Sequence, residues 1–420
     1  MSHFRQIIRN RNFFLLWIGQ VISQFGDRLN QMALIAFIFK RAPGSTFELA
    51  KLMAITIIPV FLIGPLAGVY VDRWDRRRTM FVCDLIRAVL VFTIPLFLMN
   101  TSSLIPLYIV VFLVFCLSRF FVPAKMSIIP DLVNKEDLLM ANSLVNTTGM
   151  IAAAMGFGIG GIIVEILGAK GGFYLDASTF LISGILIFFV STKMGIKVKA
   201  KEVLKVGKEI VEVIKTSVVE ELKDVFGFLS RQENIKTILN ILFILWAALG
   251  GVYVIIIVFI QRVFTSVVKD LGLLAVFLGC GLFFGSLVYG KFGRRTSYFK
   301  VIFISLVFAG ISLIAFTVTS YHFMNFALAA ALSFVLGLSI SPIMIASNTL
   351  VHELTDTSMR GKVFTALEIV VHFAFLIFMF ITSSLAEYLG QFAILIGVGI
   401  FVILVGIVGL LKKNGQISRA

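Results

Sequence analysis

The chain has 420 residues, of which 59% are hydrophobic and only 14% charged, and its mean hydropathy is +1.03. Soluble domains average about 45–50% apolar and about 25% charged residues, so this composition excludes a soluble protein and predicts an all-α, multi-pass membrane protein. The net charge of +15 would suit a nucleic-acid-binding protein. However, most Lys and Arg residues fall in loops on one predicted side of the membrane, which favours topology over phosphate binding.

Apolar runs of about 20 residues, the length of a membrane-spanning helix, recur along the chain. The sequence predicts twelve spans, at 13–39, 50–71, 79–99, 104–123, 141–166 and 173–192, and again at 236–260, 270–290, 299–320, 323–346, 362–385 and 389–411. We expect an N-terminal six-helix bundle over 1–195, a cytoplasmic linker over 196–235 and a C-terminal six-helix bundle over 236–420. Both termini would then lie in the cytoplasm.

The predicted linker carries apolar residues every three or four positions, from Val203 to Leu229, beneath a charged face. This pattern indicates an amphipathic helix that lies on the membrane or on the bundles, as a tether or as a regulatory surface. Landmarks recur across the linker at a nearly constant offset: Asp75-Arg76-Arg77 returns as Gly293-Arg294-Arg295, and Pro123 returns as Pro342. The two halves therefore have the pattern of a parallel duplication.

A short, highly charged loop joins the second and third spans. It follows Gly64 and Gly68, which share one helix face and let a neighbouring helix approach closely. Its charges cannot lie in hydrocarbon, and four arginines in so short a loop predict that it is cytoplasmic. The loop itself is Asp72-Arg73-Trp74-Asp75-Arg76-Arg77-Arg78.

This stretch resembles the signature loop of the major facilitator superfamily. The matching residues are Gly68, Asp72, Arg73, Arg76 and Arg77, whereas Asp75 stands where the family usually has glycine. The residue pattern of the loop is similar to that of the macrolide-efflux branch of drug exporters. Segments 123–142 and 174–180 also resemble the corresponding segments of that branch. The resemblance implies that the loop is a conformational latch. The alternative is that the arginines only set the orientation of the spans in the membrane. That role would require neither Asp72 nor the small residues.

The resemblance further implies an alternating-access secondary transporter that exports amphipathic or hydrophobic small molecules by proton antiport. The fifth span carries Gly156-x-x-x-Gly160, which resembles the glycine- and proline-rich motif of the antiporter branch, although Phe157 replaces the usual proline. A lysolipid flippase or a siderophore exporter on the same fold remains an alternative. A non-transporting membrane sensor or assembly factor is an alternative of another class.

The first span is unusually polar. Gln20, Gln24, Asp27 and Gln31 fall on one face of a helix, which must therefore look into the bundle or a wet cavity. Asp27 lies about halfway along the span, where transporters place their binding sites. Partial burial disfavours the ionised carboxyl, so Asp27 is a candidate proton carrier. Alternatively, Asp27 and Arg28 form a structural pair with other helices.

Other ionisable residues inside spans are candidates because embedded charges are costly unless paired or hydrated. Arg119 in the fourth span resembles an arginine that assists proton transfer in many exporters of the superfamily, or it anchors the following loop. Asp84 and Arg87 in the third span can pair with each other or with Arg76 and Arg77, and we assign them to the latch rather than to transport.

Glu368 and His372 are four residues apart in the eleventh span, on one face of the helix. The pair is a candidate proton relay. The alternatives are a hydrogen-bonded pair in the bundle and part of a metal site. The sequence shows no enzymatic motif and no nucleotide-binding loop, so we expect no cofactor and no enzyme activity. The 3 cysteines and 4 histidines are scattered and predict neither a disulfide framework nor a metal centre. Transport would then run on an ion gradient or downhill. The expected partners are a small-molecule substrate, protons and the lipid bilayer, and the expected state is a monomer in the cell (inner) membrane.

Overall fold

The computed structural model describes residues 7–71, 74–99, 101–191, 233–293, 297–354 and 360–417. The described residues form twelve α-helices and contain no strand, which confirms the predicted all-α class. The helices are α1 Arg11–Arg41, α2 Thr46–Leu62, α3 Gly64–Val71, α4 Arg76–Thr93, α5 Ile105–Leu132, α6 Leu138–Phe188, α7 Glu233–Phe264, α8 Lys269–Phe292, α9 Tyr298–Phe323, α10 Phe326–Leu354, α11 Arg360–Leu389 and α12 Gln391–Ile417.

Helices and predicted spans differ in two places. The second span is divided into α2 and α3 around Ile63, because Pro65 has no N–H to donate to the preceding turn. Conversely, α6 runs through 51 residues, which corresponds to about 75 Å of helix and is far longer than a bilayer is thick. Gly168 interrupts it with φ 71° and ψ 172°, a conformation that glycine adopts without steric cost. The two limbs of α6, 138–167 and 169–188, therefore correspond to the fifth and sixth predicted spans.

Nine segments of the described residues are long and apolar enough to cross a membrane. The difference from the twelve predicted spans has local causes. The two limbs of α6 count as one segment, and α2 and α3 are each short. α1 is not among the nine segments, because the polar side chains of the first span lower its mean hydropathy.

The described residues divide into two compact units. Unit 1 contains 7–41 and 52–191, and unit 2 contains 42–51 and the described residues from 233 onward. The segment 42–51 thus belongs to unit 2, although it lies inside the predicted N-terminal bundle. The buried Thr46 hydroxyl donates to the main-chain oxygen of Ser383 at 2.7 Å, and Ser45 donates to Glu387 at 2.9 Å.

Within unit 1, α1 packs along α6, while α4 contacts both α5 and α6. An apolar cluster that includes Phe13, Leu16, Met80 and Phe121 fills one end of this unit. Within unit 2, α8 packs on α10, α9 on α10 and α12, and α7 on α11. Residues 196–232 of the predicted linker lie outside the described residues.

Candidate functional site

The predicted latch is described in part. Gly68 lies in α3, whereas Asp72, Arg73 and the related Arg294-Arg295 lie outside the described residues. Arg76 donates to a carboxylate oxygen of Asp131 at 2.7 Å. Arg77 donates to the main-chain oxygen of Val190 at 2.9 Å. These two arginines therefore attach the start of α4 to the ends of α5 and α6.

Asp75, the residue that departs from the family pattern, is the N-cap of α4. Its backbone is extended, and its carboxylate accepts a hydrogen bond from the Arg78 main-chain N–H at 3.0 Å. Aspartate is among the preferred N-cap residues because its side chain satisfies an N–H that the helix leaves without a partner. The signal for this cap in the sequence is an Asp three residues before Arg78 at the start of an apolar run.

Asp84 and Arg87 pair with each other on α4, with side chains only 0% and 2% exposed. Asp84 also accepts a hydrogen bond from Ser183 of α6 at 2.7 Å, and Arg87 donates to Ser118 of α5 at 3.3 Å. The pair thus connects three helices in the interior of unit 1.

The guanidinium of Arg87 lies between two aromatic rings. Its central carbon is 4.4 Å from the ring centroid of Phe121 on α5 and 4.4 Å from that of Phe180 on α6. A cation over an aromatic face is attracted by the ring quadrupole, and the attraction is stronger where water is excluded. Arginine suits this place because its charge is planar and can stack on both sides.

Asp27 is half-buried on α1. Four cations act electrostatically on its carboxyl; in order of decreasing effect they are Arg87, Arg28, Lys125 and Arg119. Arg119 stands in the middle of α5, thirteen positions before the end of the helix at Leu132, which corresponds to about 20 Å of helix. Arg119 is also one of the cations that act on Asp27.

The polar face of α1 meets the first limb of α6. Gln20 is buried, and Gln24 lies against Gly149, where a side chain larger than hydrogen would meet the amide. Arg28 donates to Gln31 at 3.2 Å and lies 5.1 Å from the ring centroid of Phe157. Phe157, which replaces the proline of the antiporter motif, therefore contacts a charged residue of α1.

Sequence reasoning missed Asp176 as a site residue. It lies on the second limb of α6, is 0% exposed, and interacts electrostatically with Asp27, Arg87 and Asp84. Thr179, one turn on, donates to its carboxyl at 3.3 Å. The available signal was an acidic residue inside a predicted span, the same criterion that selected Asp27.

Glu368 and His372 lie on α11 in unit 2. Glu368 is exposed, and His372 Nδ1 is 2.7 Å from the main-chain oxygen of Glu368 rather than from its carboxylate. The imidazole also lies 5.6 Å from the ring of Trp246. The contacts of His372 with Glu368 and Trp246 thus lie within unit 2.

Helices of membrane-spanning length that enclose ion pairs and buried carboxyls define the class of multi-pass membrane proteins with embedded charges. The family model of the Major Facilitator Superfamily matches residues 16–322, so the chain belongs to this superfamily of transporters. Its curated relatives include the uncharacterized MFS-type transporter YfiS of Bacillus subtilis, which is 24% identical and covers 99% of this chain and 96% of the relative. Macrolide efflux protein A of Streptococcus pyogenes is 22% identical over 90% of each chain.

Solved structures share the fold. The nucleoside transporter NupG superimposes with a TM-score of 0.76 at 12% identity, covering 95% of this chain and 99% of NupG. A bacterial homologue of the iron transporter ferroportin, in an inward-facing state, has a TM-score of 0.74 at 14% identity, covering 96% and 99% of the two chains. At such identities the likeness extends to the fold alone.

Proposed function

We propose that this protein is an alternating-access secondary transporter that exports amphipathic or hydrophobic small molecules by proton antiport. The observation that supports export most directly is the similarity to a macrolide efflux protein along 90% of both chains. The half-buried Asp27 inside a group of cations supports coupling to protons.

The coupling follows from charge balance. An ionised Asp27 offsets part of the positive charge of Arg28, Lys125 and Arg119, whereas a protonated Asp27 leaves that charge uncompensated. An uncompensated charge in a low-dielectric interior is costly, so protonation favours a conformation in which water reaches the group. Asp27 would in this way link the proton gradient to the conformational change, with Arg119 assisting.

The proposal includes the architecture expected from the sequence: twelve spans in two six-helix bundles, 1–195 and 236–420, joined by the linker 196–235. Rocking of two such halves around a central site is the general mechanism of transporters built from repeats. We place the monomer in the cell (inner) membrane with both termini in the cytoplasm, because the Lys- and Arg-rich loops predict that side.

Transport can be tested in proteoliposomes with a macrolide and a panel of lipophilic compounds, with and without an imposed pH gradient. We expect flux that depends on the gradient and that Asp27→Asn abolishes, while the variant remains folded. Asp270→Asn makes the same chemical change at the start of α8 and should leave flux unchanged.

Gradient-dependent flux that persists in Asp27→Asn would remove Asp27 as the carrier. Movement of lysolipid instead of the drug panel would favour the flippase, and absence of flux for every compound, together with a defined protein partner, would favour the membrane sensor.

We also propose that Gly68, Asp72, Arg73, Arg76 and Arg77 form the conformational latch, together with the pair of Asp84 and Arg87. Asp72→Asn should shift the balance between inward-facing and outward-facing states, which cysteine accessibility labelling on both sides of the membrane measures. Identical labelling of the variant and the natural protein would contradict the latch.

A further inference from the structure

Asp176 occupies a site that does not suit a permanent negative charge. Its side chain is 0% exposed, and the Thr179 hydroxyl donates to Oδ1 at 3.3 Å. Oδ2 is buried and has no hydrogen-bond partner among the described residues. A carboxylate there would lose its hydration without full compensation, at a cost of several kcal/mol, whereas the neutral acid avoids most of that cost.

The charges that face Asp176 from neighbouring helices do not offset a negative charge there. Asp27 on α1 and Asp84 on α4 both repel it, and Arg87 on α4 is the cation that attracts it. However, Arg87 is already engaged in the buried ion pair with Asp84. An ionised Asp176 would therefore add a negative charge beside the ion pair of Asp84 and Arg87, which has no net charge of its own.

Glycine at position 26 places Asp176 directly against α1. A Cβ on Gly26 would stand 2.7 Å from Oδ1 of Asp176 and would overlap the Thr179 hydroxyl, so the close contact of α1 with this carboxyl depends on the missing side chain. Asp27, the next residue along α1, interacts with Asp176 electrostatically. The contact between α1 and α6 therefore carries two carboxyls, one half-buried and one fully buried.

We propose that Asp176 is a second proton-binding carboxyl and that it forms a coupled pair with Asp27 across the contact of α1 and α6. Its use in transport rests on the proposed proton antiport, but proton binding at Asp176 does not depend on that function. The chemical step is an ionisation: the O–H bond of the acid breaks when water reaches Oδ2, the proton leaves to water, and the carboxylate remains. Reprotonation reverses the step.

Infrared difference spectroscopy of the full chain in lipid membranes tests this without any substrate. At mildly acidic pH we expect a C=O stretching band of a protonated carboxyl that is lost in Asp176→Asn, and this band should disappear reversibly as the pH is raised to mildly alkaline. Absence of such a band at acidic pH would show that Asp176 is ionised throughout. A band that is constant over the whole pH range would show a fixed neutral acid, and either result would overturn the proposal.

Two further variants keep the test independent of how well Asp176→Asn folds. Thr179→Val replaces the hydroxyl that lies 3.3 Å from Oδ1 with a methyl group. The less polar surroundings should shift the Asp176 band to higher frequency; an unshifted band would overturn the assignment. Asp27→Asn should change the pH at which the band disappears, because coupled groups titrate as a pair. An unchanged midpoint would overturn the pairing. Proton-driven flux is measured in a separate experiment, so failure of the transport proposal can be distinguished from failure of proton binding at Asp176.

Discussion

At the scale of single residues, Arg87 joins three helices. It pairs with Asp84 on its own helix, donates to Ser118 on α5, and stacks between Phe121 of α5 and Phe180 of α6. A buried charge pair gives modest net stability, but removal of one partner leaves the other charge buried and uncompensated. Substitution of Arg87 should therefore destabilise the protein by more than the net stability that the ion pair contributes.

We predict that Arg87→Met destabilises the protein by about 3–5 kcal/mol, because Asp84 remains buried without its counter-charge. The double variant Asp84→Asn with Arg87→Met should recover a large part of this loss, since it buries no net charge. Thermal unfolding in detergent micelles measures both.

Arg78→Ala serves as the control, because the Arg78 side chain is 78% exposed and its ion pair with Asp75 should contribute less than about 1 kcal/mol. A double variant less stable than Arg87→Met would contradict the charge argument and would indicate that packing of the guanidinium dominates.

A second prediction concerns Asp75, the N-cap residue of α4. Asp75→Ala removes the side-chain acceptor for the Arg78 N–H and should lower stability by about 1 kcal/mol. Asp75→Asn keeps an acceptor oxygen and should retain most of the stability. The same thermal unfolding measurement compares them, and equal losses for alanine and asparagine would show that the charge, and not the cap, is what matters.

At the scale of elements, glycines determine how closely helices approach. In unit 2, α8 and α10 pack through Gly281 and Gly337, and a Cβ on Gly281 would overlap the main-chain oxygen of Phe334. Close approach through small residues is a common mode of helix association in membranes, where no hydrophobic force draws helices together. Backbone atoms cannot swing aside as a flexible side chain can, so α8 would have to move away from α10.

We predict that Gly281→Ala destabilises the protein by about 1–3 kcal/mol, through overpacking against α10. Gly279→Ala, two residues earlier on the same helix, is the matched control, because a Cβ there meets nothing within 4 Å. It should be neutral or stabilising by up to about 1 kcal/mol, since alanine favours a helix over glycine. Equal effects of the two substitutions in thermal unfolding would contradict the packing argument.

At the scale of the whole molecule, topology follows from the distribution of Lys and Arg. The predicted topology assigns only six of these residues to the side opposite the arginine-rich loop: Lys40, Arg41, Lys51, Lys170, Arg262 and Lys269. The structure supports one such grouping, because Arg41 at the end of α1 donates to the main-chain oxygen of Met99 at 3.1 Å. Within unit 1, the end of α1 and the connection before α5 therefore lie together.

We predict that, in a bacterial host, alkaline phosphatase fused after Thr101 is active outside the cytoplasm, whereas the same enzyme fused after Asn134 is inactive. A fluorescent protein fused after Ala420 should fluoresce, since the C-terminus is expected in the cytoplasm. The reverse pattern of phosphatase activities would invert the proposed orientation while leaving the fold unchanged.

Much of the architecture was predictable because its causes are local. Twenty apolar residues in a row predict a span wherever they occur, and the family was recognisable from the residues around Gly68 and Arg76. The break between α2 and α3 was less predictable, because proline is often tolerated within membrane helices. The candidate site was predictable in part: Asp27, Asp84, Arg87 and Arg119 were selected, and the spacing of Asp84 and Arg87 on one helix indicated their pairing. The aromatic rings on both sides of Arg87 and the buried Asp176 were not predicted.

The amino-acid sequence by itself determined the helices, the family and the set of embedded ions, because hydropathy, turn residues and charge act over short stretches of chain. Only the tertiary structure decided which of those ions meet. Arg87 stacks on Phe180 and Asp176 lies against Gly26 because α1 and α4 both pack on α6, although these residues are far apart along the chain. A buried charge is stabilised by what surrounds it in space, and that surrounding is set by helix packing rather than by sequence neighbours.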